Sequence, residues 1–383
     1  MTIDTPIWIC IFANNQWKLE DAISIDPKHS SFTKALTGTA ENRVISILDA
    51  EGIVFTRIWC DFELHLTFTA QIRKGDVHKG LWAVYTAHKH TYFDEERSAV
   101  GIISGGEIRE NAFYSARRES HFPTELILKS RNIKIESAQA SMDSDRVHIL
   151  NSIAGKKILG ADPPSTHPNY DKVNDAVRGA FATSVPALKA ALATGEDAWN
   201  EMLVSMSKGV RSGTFELNFD SFIGSQSSSP RLTSSQAREL VSHIPLTCNG
   251  LDISKAKGDD GEGAIEGMID WLEKAKAIRN FRCAHCKVGD WYSRDENVED
   301  VGRDAGIRLA VALEASHHAE TIEVLAIVRT DLIVSGNVPE WTSALKKMIS
   351  LEKLEIYGAY ITDEEMSILE NATHASDVTI KKE

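Results

Sequence analysis

The sequence predicts an α/β protein in two parts, an N-terminal layered domain around a parallel sheet and a C-terminal series of helix–strand units. Two observations support this fold class. Near the start, continuous apolar runs alternate with helical segments, as in strands that are covered on both faces. In the second half, one apolar spacing recurs after each helical segment. We place the layered domain at residues 1–125, a helical connector at 126–189 and the repeats at 190–383.

The N-terminal layer is predicted from three apolar runs, Ile7–Phe12, Val44–Leu48 and Leu81–Tyr85. Helical segments at Ser31–Leu36 and Phe55–Thr69 separate them, so the order is strand, helix, strand, helix, strand. Strands that are joined through a helix normally run parallel. We therefore expect a parallel sheet with helices packed on it.

The second helical segment begins with a motif. Directly after the second strand, the chain reads Arg57-Ile-Trp59-Cys60-Asp61-Phe-Glu63. This stretch resembles the Trp-Cys-x-x-Glu segment of Toll/interleukin-receptor-like (TIR-like) domains, which have a flavodoxin-like fold. The turn Asn14-Asn15-Gln16-Trp17 adds to the resemblance.

The resemblance implies a role for Glu63, because in enzymatic TIR domains this glutamate cleaves NAD at the nicotinamide–ribose bond. A carboxylate suits an oxocarbenium-like transition state, whose positive charge it offsets. Helical spacing places Arg57 and His65 four residues from Asp61, so we expect both to pair with Asp61, leaving Glu63 without a cation on its helix.

One departure from the TIR-like pattern argues against catalysis. Met1 lies only six residues before Ile7, so the first strand of the pattern is missing. In a doubly wound sheet that strand normally forms the ligand site. We therefore expect a non-catalytic, adaptor-like module, which could also mediate oligomerisation. NAD is a cofactor only under the enzymatic alternative.

The connector shows apolar residues at three- and four-residue steps, which predicts helices. The sets are Ile135, Ala138 and Met142, then Val147, Leu150 and Ile153, then Val173, Val177 and Phe181. A loop at 162–165, Asp-Pro-Pro-Ser, interrupts them.

The repeats share paired apolar residues two positions apart, which is the period of a short strand. The pairs are Phe215 with Leu217, Leu251 with Ile253, Phe281 with Cys283, Leu325 with Ile327, Leu354 with Ile356, and Val378 with Ile380. A helical segment precedes each pair, and the helices are centred on Trp199, Leu240, Ile269, Leu309, Trp341 and Leu369. One such unit cannot bury its own apolar edge, so we expect the six to stack.

Helix-start signals agree with this period. Thr233-x-x-Gln236 and Thr362-x-x-Glu365 read as capping boxes, and Pro339 suits the first turn of another helix.

Residues 190–383 resemble leucine-rich repeats of the ribonuclease-inhibitor type. The combination with a TIR-like module is similar to multi-copy protist proteins that fuse the two. The resemblance implies a horseshoe whose concave strand face binds a protein.

Two patterns invite a metal interpretation that we set aside. The chain reads Cys283-Ala-His285-Cys286, but it contains no second Cys-x-x-Cys, and the repeat template makes both cysteines structural thiols. His88 and His90 alternate along a strand edge, where histidines usually meet solvent. We expect no metal site, and none of the phosphate-loop, dinucleotide or nucleophile-elbow motifs is present.

Composition limits the class of partner. With 42 Lys and Arg against 55 Asp and Glu, the formal net charge is −13, which disfavours nucleic acid and anionic membranes. Five scattered cysteines and the lack of a basic segment before Ile7–Phe12 favour a cytoplasmic location.

We therefore predict a signalling or scaffold protein that binds a protein partner through its repeats. The contact residues are expected to be those exposed between the paired apolar positions, such as Arg282, Ala284, Glu355 and Tyr357. The alternative is an NAD+ hydrolase that uses Glu63.

Overall fold

The computed structural model describes residues 25–38, 44–74, 82–92, 95–104, 119, 121–209, 214–222, 232–257, 259–276, 278–288 and 297–382. Contacts divide the described chain into two compact units. The first contains the described residues up to 104 and residues 121–181, and the second contains residue 119 and the described residues from 182 to 382. The expected strand Ile7–Phe12 and the turn Asn14–Trp17 lie outside the described residues.

The first unit contains three strands, and helices precede and follow them along the chain. Its elements are α1 Ser31–Gly38, β1 Val44–Leu48, α2 Ile58–Lys74, β2 Trp82–Tyr92, β3 Glu95–Ser104, α3 Thr124–Ser130, α4 Asp143–Ile153 and α5 Pro168–Ala182. The predicted strands at Val44–Leu48 and Leu81–Tyr85 and the two predicted helices are thus present. A short 3-10 helix, Ile53–Thr56, occupies the start of the segment that we predicted to be helical from Phe55.

The three strands do not form the wholly parallel sheet that we expected. β1 and β2 run parallel, with Val44 opposite Trp82, but β2 and β3 run antiparallel, with Val84 opposite Ile103. Only residues 93 and 94 separate β2 from β3, and a parallel crossover needs a dozen residues or more. The antiparallel pairing follows from that short connection, and β3 was not predicted at all.

Gly101 of β3 explains one feature of this sheet. A Cβ on Gly101 would lie 2.6 Å from Cα of Phe122, so only glycine permits this approach of two backbone segments. Phe122 in turn packs on Phe181 of α5, with ring centroids 5.8 Å apart. Phe55 and Trp82 contact the same Phe181 ring edge-to-face, at 5.7 and 6.1 Å. These aromatic side chains join the sheet to the connector helices in one core.

Two of the three helices predicted for the connector are present. Val147–Ile153 lies in α4, Val173–Phe181 lies in α5, and the residues at 162–165 are not helical. The first set was wrong, because Ile135–Ser137 is a 3-10 turn and Met142 is exposed. The side-chain oxygen of Asn174 accepts the N–H of Ile135, a group that has no backbone partner at the start of a helical turn.

The second unit contains seven helices and six strands among its described residues. They are α6 Val185–Thr194, α7 Glu196–Ser207, β4 Thr214–Asn218, α8 Ser234–Ser242, β5 Gly250–Ser254, α9 Asp259–Lys274, β6 Asn280–Ala284, α10 Asn297–Ala315, β7 Val324–Val328, α11 Val338–Lys347, β8 Lys353–Ala359, α12 Asp363–Ala372 and β9 Asp377–Lys382. No helix in the described part of the chain is long and apolar enough to span a membrane.

The six predicted helix–strand units are all observed. The strands form one parallel sheet in the order β4-β5-β6-β7-β8-β9, so each unit pairs with the next unit in sequence. The capping boxes at Thr233 and Thr362 are formed, and Pro339 lies in the first turn of α11. Spacing alone therefore located every unit.

The register of the sheet aligns the paired apolar residues in two rows. The first row is Phe215, Leu251, Phe281, Leu325, Leu354 and Val378, and the second is Leu217, Ile253, Cys283, Ile327, Ile356 and Ile380. Both rows belong to a single apolar core with the inward residues of α7 to α12. Burial of these rows against the helices drives stacking, because each unit covers the apolar edge of its neighbour.

Candidate functional site

The opposite face of the six-stranded sheet carries polar and charged side chains. One row across the strands is Glu216, Asp252, Arg282, Ala326, Glu355 and Thr379, and the next is Asn218, Ser254, Ala284, Val328, Tyr357 and Lys381. Arg282 is exposed, and Glu355 and Tyr357 are partly exposed. All four contact residues that we predicted lie on this face, and three of them are at least partly exposed.

Ala284 is the exception. We predicted an exposed contact residue, but Ala284 is only 3% exposed. Its alternation with Cys283 in the strand is correct, so it does lie on the polar face. Its methyl group lies between Ser254 and Val328 of the neighbouring strands, and its low exposure removes Ala284 from the set of contact residues.

Opposite charges are paired across this face. Arg282 Nε lies 3.8 Å from Asp252 Oδ2, and Lys353 Nζ lies 2.9 Å from Glu355 Oε1. Burial raises the pKa of Asp252 to about 6, against the opposing effect of Arg282. Lys381 Nζ sits 5.5 Å from the centre of the Tyr357 ring, a cation–π distance. The face therefore offers both charges and one aromatic side chain to a partner.

A feature that sequence analysis missed lies at the carboxyl ends of the strands. Lys255, His285 and Arg329 follow β5, β6 and β7 directly, and their φ angles of 63°, 55° and 51° are in the left-handed region. The N–H of Lys255 donates to the carbonyl of Ala284 on the next strand, 2.9 Å away. The N–H groups of His285 and Arg329 make the equivalent bond, each to the strand that follows its own. One sequence signal could have revealed the set, because each basic residue stands two positions after the second apolar residue of its pair.

The Cys283 and Cys286 side chains lie behind this edge, in the core. Both are completely buried free thiols, and Cys286 Sγ donates to the carbonyls of Ile253 and Ala284 at 3.6 Å. The hydrogen bond with Cys286, together with burial, raises the pKa of the Cys283 thiol. The pair thus occupies the strand and turn positions that the repeat template assigned to it.

The TIR-like motif lies at the start of α2 in the first unit. Trp59 stacks on Phe32 with ring centroids 4.7 Å apart, and its indole N–H donates to Asp145 Oδ2 over 3.2 Å. Cys60 is partly exposed and forms no disulfide. Trp59 therefore joins α2 to its neighbouring helices, whatever else the motif does.

Glu63 is partly buried, and burial raises its pKa to about 7. Arg57 opposes this rise, so it is a cation that acts on Glu63. Arg57 precedes α2 in an extended conformation, so this cation comes from outside the helix. Our expectation that the helix itself offers Glu63 no cation is therefore not contradicted.

The expected pairing of Asp61 with Arg57 and His65 was wrong. Asp61 is fully buried, and neither carboxyl oxygen has a hydrogen-bond partner in the described part of the chain. Burial, and secondarily the nearby Glu136, raises the pKa of Asp61 well above its ordinary value. A buried carboxyl without partners is held in its neutral form.

A cleft of about 240 Å³ opens beside the carboxyl end of β1. Its walls include Leu48, Gly52, Phe55, Lys129 and Lys134. The motif residues Arg57, Trp59, Cys60 and Glu63 are not among the residues that line it. Glu63 and this cleft are thus separate features of the first unit.

In the ranges that the structure covers, no group of three or more His, Cys, Asp or Glu side chains is placed to hold a metal ion. His88 and His90 lie in β2, but their side chains are outside the described set. No protein-family model, no curated protein and no solved structure matches this chain.

Proposed function

We propose that this chain is an interaction or scaffold protein whose second unit is a leucine-rich-repeat arm, and that a protein partner binds the polar face of its six-stranded sheet. The observation that supports the proposal most strongly is the unbroken parallel register of six helix–strand units. Such a stack produces one continuous face rather than a single pocket.

The chemistry of that face suits a protein partner. Arg282, Glu355 and Tyr357 provide both charges and an aromatic ring, and Arg and Tyr are enriched where protein interfaces contribute most of their binding energy. The ion pair between Arg282 and Asp252 is long, at 3.8 Å, so a partner can recruit either group without breaking a strong contact.

The test compares a variant that is substituted on the sheet face with a control variant that is substituted on the helices. The first carries Arg282→Glu, Glu355→Lys and Tyr357→Ala on the sheet face. The control carries Lys346→Glu and Glu273→Lys, both on exposed helix positions. A photo-crosslinking residue placed at Thr379 in each background captures whatever lies over the sheet in cells.

We expect the sheet-face protein to lose specific crosslinked partners that the control retains, with unchanged circular dichroism in both. Retention of every partner by the sheet-face protein would contradict the proposal. Loss from both proteins would also contradict it, because the loss would then not be specific to this face.

A second candidate function is NAD+ cleavage with Glu63 as the essential carboxylate. The observation that favours it is the pKa of about 7 at a partly buried glutamate that Arg57 influences. Perturbed carboxyl groups are common at catalytic sites. The cytoplasmic location and the signalling role that the sequence predicts are proposals too, and they are compatible with either function.

Nicotinamide release from NAD+ separates the two functions. The enzymatic proposal requires release by the wild-type protein and its loss in Glu63→Gln, with Glu51→Gln as a control that changes another carboxylate of the same unit. Release that is equal in wild type and Glu63→Gln, or absent from both, would remove the enzymatic candidate and leave the interaction proposal standing.

A further inference from the structure

Four basic residues converge at one edge of the six-stranded sheet. They are Lys255, Arg282, His285 and Arg329, which we call the basic cluster. Lys255, His285 and Arg329 follow three adjacent strands, and neighbouring strands lie about 4.8 Å apart, so the cluster extends over about 10 Å. Arg282 lies three residues before His285, on the polar face.

The backbone does not require basic side chains here. A left-handed conformation is easiest for glycine, and Gly358 occupies the equivalent position after Tyr357, with a φ of 70°. The three preceding strands, β5, β6 and β7, instead place Lys, His and Arg at this position, despite the strain that a side chain adds. Strained positions of this kind are typical of binding sites.

Charge balance within the cluster is positive. Lys255 Nζ lies 3.1 Å from Asp220 Oδ2, and Arg282 has its long contact with Asp252. In the described ranges Arg329 has no carboxylate within ion-pair distance. Burial, and then the charges of Arg329, Lys255, Lys257 and Arg282, lower the pKa of His285, which favours its neutral ring.

We propose that the basic cluster binds a short acidic segment of the partner protein. This inference rests on the proposed function and names the chemistry of its partner. A protein of net charge −13 that concentrates positive charge at one edge is complementary to carboxylates at that edge.

A nucleic acid fits this surface less well than a peptide. Asp252 and Glu355 lie on the same sheet face as Arg282, and they would repel an extended phosphate backbone. The cluster is also short, since three strands accommodate only a few carboxylates. A peptide can place its acidic side chains over Arg282 and Arg329 and its neutral ones elsewhere.

Fluorescence anisotropy tests the inference on the full chain. The probe is a short fluorescein-labelled peptide rich in Glu, and the reference peptide has Gln in place of each Glu. A single-stranded oligonucleotide of equal charge is the third ligand. The variants are Arg329→Gln, Arg329→Gly, which copies the residue at Gly358, and the control Lys346→Gln on an exposed helix face.

We expect the Glu peptide to bind, the Gln peptide not to bind, and added salt to weaken the complex. Each Arg329 variant should weaken binding roughly three- to tenfold, as for a partly exposed charge-assisted contact, and Lys346→Gln should not. Equal binding by wild type and both Arg329 variants, or no binding of the Glu peptide, would overturn the inference. Tighter, Arg329-dependent binding of the oligonucleotide would overturn it in favour of nucleic acid.

This outcome is distinguishable from failure of the proposed function. Crosslinking at the sheet face can still capture a partner in the wild type and lose it in the protein with Arg282→Glu, Glu355→Lys and Tyr357→Ala. In that case the interaction proposal stands even when the Glu peptide does not bind. Loss of both results would reject the two together.

Discussion

The ionisation of Glu63 offers the sharpest quantitative test of the first unit. In the folded chain the pKa of Glu63 is about 7, against an ordinary value of 4.5, and burial is the main cause. The protonated carboxyl is therefore favoured by folding, and the ionised one is not. Replacing the side chain in Glu63→Gln removes the ionisation and keeps the shape.

The size of the effect follows from the two pKa values. Their difference of about 2.5, at ~1.36 kcal/mol for each pKa unit, corresponds to roughly 3 kcal/mol. This contribution to stability is complete below pH 4.5 and is lost as the pH rises to about 7. We expect Glu63→Gln to match the wild type near pH 4 and to be more stable by up to roughly 3 kcal/mol above about pH 7.5.

The assay is urea unfolding at a series of pH values, followed by hydrogen-exchange mass spectrometry of peptides from α2. This readout reports the first unit separately from the second. Asp61 also has a raised pKa, but it is present in both proteins and cancels in their difference. If wild type and Glu63→Gln lose stability in parallel between pH 4.5 and pH 7, Glu63 is solvated and the argument from burial is refuted.

Three further predictions concern stability and are checked by urea or thermal unfolding at neutral pH. Asp61→Leu should stabilise the first unit by about 1–3 kcal/mol, because it removes a buried carboxyl with no hydrogen-bond partner, and a loss of stability would show that the carboxyl is satisfied. Gly306→Ala should destabilise the second unit by about 1–3 kcal/mol, since its Cβ would overlap the carbonyl oxygen of Leu332, and an unchanged midpoint would rule out that close packing. Thr362→Ala should cost about 1 kcal/mol by removing the capping box with Glu365, whereas Ser367→Ala on the same helix serves as the control.

The two units differ in how far the sequence could predict them. In the second unit, a strand is recognised by apolar residues two apart and a helix by residues three or four apart, and both signals are local. The same spacing also sets the register, because a slip by one residue would expose Phe281 and Cys283 together with the two rows to which they belong. Repeated local signals therefore predicted the whole sheet.

The first unit depended more on contacts between distant residues. The strand β3 went unpredicted because its pairing with β2 follows from a two-residue connection, not from its own composition. Trp59 and Asp145 are joined across 86 positions of sequence, and no local pattern indicates such a contact. The cleft beside β1 likewise brings Leu48 together with Lys129 and Lys134.

By itself, the sequence determined the six helix–strand units, their register and the polar face on which Arg282, Glu355 and Tyr357 lie, since all of these follow from short-range periodicity. Only the tertiary structure decided which carboxyl group is buried without a hydrogen-bond partner and which carboxyl group Arg57 influences. It also decided that Lys255, His285 and Arg329 meet at one edge of the sheet. The physical reason is that burial and charge–charge distance are properties of the packed chain. Periodicity specifies which face a side chain occupies, and only packing specifies what surrounds it there.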